Sequence, residues 1–294
     1  MATVPPLRIW LYGLLLAAAV LALLIPLRQL VERKTGEALA GEVQHYLSAP
    51  SSRGQGHVRV LALGSSLLRA ATPSVHYQAL HGVEWLRLTK SYVGFGYLGI
   101  VLESIDKQPP DVLVIDTNLL LPAETLVDDL RDTLALAPIN AGYALMEQAG
   151  WGAPWSKRVL QQQEAPYVCA PLAADRLYQQ RTILIPQQKA ELATATVDPV
   201  LSSTLLRLSR QGVRIVLLDL RRSTQFEHDL NGDRQRWLQR WQSVLPPGRT
   251  IGYLTSPDFN DASLYCDGRH MNEAGARRFA RWWRHQLEQM GKEN

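Results

Sequence analysis

Cysteine is scarce in this chain. Cys169 and Cys266 are the only two in 294 residues, and no Cys/His grouping has the spacing of a metal site, so no resident metal is expected. Internal repeats are absent too, which excludes a solenoid or array. No concentrated basic patch stands out. The net charge of +4 comes mostly from scattered arginines. The densest run, Arg269 to Arg284, reads as a solvated helix face, and no nucleic-acid partner is expected. Attraction of these arginines to anionic lipid headgroups or polymers would be unspecific. Charge is missing altogether from Ile9 to Leu27.

That uncharged stretch sets the organisation of the chain. At about 1.5 Å rise per residue, such a helix nearly spans a hydrocarbon core of about 30 Å. Trp10 and Tyr12 suit an interfacial belt at its start. A cleaved signal peptide is the rival reading, with Ala38-Leu39-Ala40 as its cleavage site. That site lies far beyond the apolar core, with Arg28, Glu32, Arg33 and Lys34 between, so a retained signal anchor is expected. Residues 1–28 are then a cytoplasmic head and transmembrane segment, with 9–27 in the membrane. Residues 29–56 form a juxtamembrane helix, Glu37 to Leu47, and a linker, Ala49 to Gly56. Arg28, Arg33 and Lys34 follow the segment and only Arg8 precedes it. That count favours a cytoplasmic domain, whereas a first segment with so short a head usually inserts as a signal anchor with the domain outside. The second orientation is the one adopted.

Residues 57–294 are enough for one well-filled α/β domain. Strands are expected at Val58–Leu63, Val83–Leu88, Asp111–Asp116, Val213–Leu220 and Thr250–Leu254, as apolar runs of the kind buried parallel strands carry. Helical patterns cover Thr125–Leu136, Pro199–Arg210, Gln235–Val244 and Asn272–Met290. In the last, Gly275, Phe279, Trp282, Trp283 and Leu287 share a face opposite arginines. The alternation predicts a doubly wound, mostly parallel sheet of about five strands, flavodoxin-like in architecture. Pro138 to Asp198 breaks the rhythm. It carries Tyr143, Trp151, Trp155 and Tyr167 among Gly, Pro and Gln, and is expected as an insertion that covers or shapes a site. Its aromatics either stack on sugar rings or pack the insertion onto the domain.

Two short stretches name a chemistry. Gly64-Ser65-Ser66 follows the first strand, and Leu67 to Ala71 can begin a helix. A serine there stands at the carboxyl edge of the sheet, where open α/β folds place their sites. About 200 residues later comes Asp267-Gly268-Arg269-His270. A histidine takes the proton from an attacking serine hydroxyl, and a carboxylate holds the imidazole in the right tautomer. Asp-x-x-His delivers base and orienter on a single loop. The Ser66 N–H at the helix start, a glycine N–H from Tyr92-Val93-Gly94-Phe95-Gly96 and the Asn118 amide are candidate oxyanion donors. In isolation each has a plainer reading. Gly-Ser-Ser is a small-residue turn, Asn118 bonds its own backbone, and the glycines supply loop freedom.

In this order the pieces resemble the SGNH (GDSL-type) hydrolase superfamily, over about residues 57 to 290. That pattern has Gly-Asp-Ser first, a glycine second, Gly-x-Asn third and Asp-x-x-His last. The resemblance implies Ser66 as nucleophile, Asp267 and His270 as orienter and base, and Ser66, Asn118 and Gly94 or Gly96 as oxyanion donors. No cofactor is implied. Two positions depart from the pattern: Ser65 replaces Asp, and Asp116 replaces Gly. The first departure is similar to a membrane-anchored branch that modifies cell-surface polymers, among them the D-alanyl-lipoteichoic acid D and alginate O-acetylation proteins. The implied activity moves or removes an acyl group, acetyl above all, on a cell-surface glycan. The implied place is the outer, periplasmic face of the inner membrane, with a multi-pass membrane O-acyltransferase as partner. Two rivals stand beside it: a simple esterase or lipase, and a non-catalytic scaffold or glycan-binding partner of such an assembly. Two readings of Cys169 and Cys266 stay open: a disulfide that ties the insertion to the catalytic loop, which a periplasmic domain would allow, or two free, buried thiols.

Overall fold

The computed structural model describes residues 7–49, 57–72, 76–80, 82–89, 96–121, 155–165, 167, 169 and 171–292. Five strands of almost wholly apolar sequence pair in parallel: β1 (Val58–Gly64), β3 (Val83–Thr89), β4 (Val112–Asp116), β5 (Arg214–Asp219) and β6 (Ile251–Thr255). Each lies within about a residue of its expected bounds. A sixth strand, β2 (His76–Leu80), runs antiparallel along the β3 edge, giving the order β2-β3-β1-β4-β5-β6. Its His-Tyr-Gln content carries no apolar run to announce it.

Counted alone, the parallel strands follow the order 2-1-3-4-5, the flavodoxin-like winding. The direction of winding reverses between β1 and β4. In such folds the crevice outside the carboxyl ends of those two strands is where ligands bind. Ser65 and Ser66 follow β1 directly, and Thr117 and Asn118 follow β4 in a 3₁₀ turn (Thr117–Leu120).

Both faces of the sheet are covered. One buried layer joins Leu61, Leu63, Leu86, Leu113, Ile115, Ile215 and Leu217 to residues of α1 (Leu7–Ser48), α3 (Gly96–Ser104), α6 (Pro199–Arg210) and α7 (Thr224–Val244). The other joins Val60, Ala62, Trp85, Val114 and Val216 to α2 (Ser66–Ala71) and α8 (Glu273–Lys292). Odd and even positions of each strand therefore feed opposite layers, as the period-2 geometry of a strand requires. On α8, Phe279, Trp283 and Leu287 are buried as the helical spacing predicts, while Trp282 is only half-buried. Asn272 caps that helix, accepting from Ala274 N–H at 3.0 Å and Gly275 N–H at 3.1 Å.

The N-terminal helix is continuous over 42 residues. Leu39, Val43 and Leu47 near its end are buried against the domain, and Tyr46 O–H donates to the Glu84 carbonyl at 2.8 Å. The region expected as a separate juxtamembrane helix is thus the docked end of α1. At its other end every described side chain from residue 8 to 20 is exposed, including Trp10, Leu11, Leu14, Leu15 and Leu16. Among the described residues no helix is long and apolar enough to cross a membrane, so the expected transmembrane segment has no support from the fold.

The insertion is more regular than its composition suggests. It carries α4 (Trp155–Glu164) and α5 (Ala174–Thr194), the second helical through Pro186. Tyr143 and Trp151, the helix expected at Thr125–Leu136 and most of the linker lie outside the described residues. The helix expected at Gln235–Val244 begins earlier, at Thr224.

Candidate active site

Gly64 ends β1 inside the core. A Cβ there would lie 2.4 Å from Leu68 Cβ, so only glycine lets the chain turn this tightly into α2. Ser65 is the N-cap of that helix. Its side chain accepts from Leu67 N–H at 3.2 Å. Ser66 is the first helical residue, half-buried at the carboxyl edge of the sheet. Its N–H falls in the first turn, where a helix supplies no partner of its own.

Residues 265–271 form a closed loop from the other end of the chain. Tyr265 and Met271 pair as an isolated antiparallel bridge, and Cys266 N–H donates to the His270 carbonyl at 2.9 Å. Gly268 holds φ at +73°, and a Cβ there would lie 2.7 Å from Phe226 Cε2. The tip therefore takes a left-handed conformation pressed against α7, which glycine alone tolerates. Its carbonyl accepts from Ser223 N–H at 3.0 Å.

The two stretches meet. Ser66 Oγ lies 2.9 Å from His270 Nε2. His270 Nδ1 lies 2.8 Å from Asp267 Oδ2. With Nδ1–H donating to the carboxylate, Nε2 carries the lone pair and accepts the serine O–H. Asp267 Oδ1 is occupied by two backbone donors, His270 N–H at 2.7 Å and Arg269 N–H at 3.0 Å. Burial would raise the Asp267 carboxyl, but the His270 hydrogen bond and charge, with both backbone donors, outweigh it. The group is held well below the usual carboxylate range. Sequence reasoning placed these three residues together, and the fold brings them into contact.

The expected oxyanion donors fare unequally. Asn118 is at the adjacent strand end, with its side chain engaged on both sides. Its Nδ2 donates to Asp116 Oδ1 at 2.6 Å, and its Oδ1 accepts from Arg222 Nη2 at 3.1 Å. Gly94 lies outside the described residues. Gly96 is the first residue of α3, so the backbone of only one of the two glycines is described.

Three residues escaped the sequence reading. Asp116, fully buried, bonds the Ser65 turn and the Asn118 turn together. The signal was present as the two departures from the pattern, a carboxylate missing at 65 and one gained at 116. Arg222 is 3% exposed. Burial pushes it down to about 9, the Arg234 charge adds to this and Glu227 opposes it. Nothing in its local sequence marks it. Tyr167 stacks on the His270 ring at 5.0 Å between centroids and 24° between planes. Its place was legible only as an aromatic in an insertion.

A disulfide joins Cys169 to Cys266, next to Asp267. Beside it, Leu172 N–H donates to the Cys266 carbonyl at 2.8 Å. Of the two alternatives, the tether between insertion and loop is the one present, and the two thiols are not free. Comparison with known proteins returns no matching family model, no similar curated protein and no similar solved structure.

Proposed function

We propose that this chain is a serine acyltransferase or esterase that works through an acyl-enzyme. One observation carries the reading: the Ser66–His270–Asp267 chain of hydrogen bonds, 2.9 and 2.8 Å long, assembled at the switch point of the sheet. Ser66 Oγ attacks the acyl carbon as its proton passes to His270 Nε2. Asp267 stabilises the imidazolium so formed. His270 then returns the proton to the leaving oxygen as the ester bond breaks. A sugar hydroxyl or water, deprotonated by the same imidazole, releases the acyl group. The Ser66 N–H and the second Nδ2 hydrogen of Asn118 receive the oxyanion, with a glycine N–H from Gly94 or Gly96 as third donor. The ordered triad argues against a non-catalytic scaffold.

The setting is part of the proposal. A disulfide beside the catalytic loop belongs to an oxidising compartment, which favours the periplasmic face of the inner membrane. The uncharged stretch 9–27 and the exposed apolar side chains of α1 suit membrane attachment. A tether raises the effective concentration of a membrane-bound acyl donor, such as a multi-pass O-acyltransferase would supply, and a free hydrolase gains little from one. We therefore favour transfer of an acyl group, acetyl above all, to a cell-surface glycan.

The test has two arms on the full chain in detergent. A fluorophosphonate, mapped by mass spectrometry, is expected on Ser66; label on Ser65 alone, or on no serine in active protein, overturns the reading. Burst kinetics with an acetyl ester are expected to show a fast first turnover and slow release that an oligosaccharide acceptor accelerates. Fast steady hydrolysis indifferent to acceptors means an esterase instead.

A further inference from the structure

Four donors converge on one buried carboxylate. Asp116 Oδ2 accepts from Ser65 Oγ at 2.5 Å and from Ser65 N–H at 3.1 Å. Oδ1 accepts from Asn118 N–H at 3.0 Å and from Asn118 Nδ2 at 2.6 Å. The residue is 0% exposed, so no water competes for either oxygen. One oxygen serves the turn after β1, which carries the nucleophile. The other serves the turn after β4, which carries the Asn118 amide. Those turns are 51 residues apart in sequence.

The chemistry of the partners fixes how Asn118 is turned. A guanidinium can only donate, so the Arg222 contact must fall on Oδ1; a carboxylate can only accept, so the Asp116 contact must fall on Nδ2. The amide cannot flip without breaking two charge-assisted bonds. Its remaining Nδ2 hydrogen therefore has one direction available.

The geometry points to Asp116 as the positioning residue that holds the Ser66 turn and the Asn118 amide in a single frame. It touches no reacting atom. It sets the separation between nucleophile and oxyanion donor, a distance on which transition-state stabilisation depends steeply. The frame needs one carboxylate between the two turns. In the SGNH pattern the carboxylate stands at the position of Ser65; here it has crossed to the facing strand end, and Ser65 keeps only the short hydroxyl that meets it. This role rests on the acyl-transfer reading above.

The experiment compares the wild type with Asp116→Asn, Asp116→Gly, Ser65→Asp and the double Ser65→Asp/Asp116→Gly, on the full chain. The readouts are kcat, KM, melting temperature and fluorophosphonate labelling. Asp116→Asn keeps the shape but presents one acceptor and one NH₂ to four donors. Its kcat is expected to fall about 100-fold with KM within about threefold, the signature of a lost oxyanion donor. Ser65→Asp sets two carboxylates against each other and loses as much. The double variant restores a single carboxylate and is expected within about tenfold of wild-type kcat. A residue that only stabilised the fold would not show this recovery. If the wild type takes no label on Ser66, the acyl-enzyme reading falls and this role falls with it. If the wild type labels normally, two results overturn the positioning role alone: wild-type kcat in Asp116→Asn, or a double variant no faster than its slower parent. Should Asp116→Gly or Ser65→Asp not fold, the isosteric Asp116→Asn decides, and a loss confined to KM counts against the role.

Discussion

The two halves of the site are held by different physics. The half that carries the proposed nucleophile hangs from the sheet. Ser65, Ser66, Asp116 and Asn118 sit at the ends of β1 and β4, whose strand residues are almost all buried. The half that carries the proposed base hangs from no strand. Asp267 and His270 lie on a loop held by one isolated bridge, a left-handed glycine against Phe226, a stacked Tyr167 and a disulfide. The first half inherits its rigidity from the core, and disturbing it costs stability. The second is rigid through local devices that can be removed singly. Precision in the base half should therefore be separable from the stability of the sheet.

The strongest test of that separation pairs one variant from each half. His270→Ala is expected to lower kcat on the order of 10⁶-fold, with a much smaller change in melting temperature. Leu61→Ala removes a fully buried side chain from the layer beneath β1. It is expected to cost about 2–5 kcal/mol of stability while kcat per folded molecule stays within about threefold. Denaturant melts and single-turnover kinetics on both variants measure this. A Leu61→Ala protein of wild-type stability with collapsed kcat would show that the two halves are not independent.

The same contrast explains what was legible in the sequence. Parallel strands buried on both faces write long apolar runs, so β1, β3, β4, β5 and β6 could be read almost to the residue. Asp267 and His270 were readable because base and orienter share one turn. Glycine at 64 and serine at 66 were readable as a strand-to-helix turn. Asp116 was visible only as a departure from a pattern, because its partner at Ser65 is brought near by the β1–β4 pairing and not by spacing. Arg222 is equally hidden, since its bond to Asn118 spans 104 residues. The helix α5 was missed because Pro186, a helix breaker, lies inside it and the insertion as a whole is broken by Gly and Pro. Its packing against α7 overrides that propensity.

The disulfide ranks next in expected effect. Cys169 and Cys266 close a loop of sequence separation 97. In the chain-entropy account such a cross-link is worth up to about 4–5 kcal/mol. It also fixes the base half from two sides, through Cys266 next to Asp267 and through Tyr167 on His270. Cys169→Ser/Cys266→Ser is expected to lower both melting temperature and kcat, the latter about tenfold, with KM little changed. Reduction of the wild type by a dithiol, which gives two electrons and two protons to the Cys169–Cys266 bond and closes into a cyclic disulfide, is expected to do the same reversibly. A drop in stability with kcat untouched would make the cross-link a staple of the fold alone.

The smallest effect expected is on the acid limb of stability, and it again separates the halves. The carboxyl of Asp267 is depressed in the folded protein because the hydrogen bond and charge of His270 and two backbone donors outweigh its burial. Its unfolded value is about 3.9. Between the folded and unfolded values the unfolded chain binds more protons, so stability rises with pH across that window. The contribution is complete above about pH 4 and is lost as pH falls toward the folded value. A hydrogen-bonded pair with a charged partner contributes about 1.5–3 kcal/mol, less than the disulfide. Asp267→Asn cannot titrate, so its stability curve is expected to lack that part of the acid slope while keeping the rest. Urea melts at half-unit steps from pH 5 to pH 2, on wild type and variant, supply the difference curve. A difference that is flat across this range would mean that Asp267 is not held by His270 in the folded protein, and the base half would then lack its orienter.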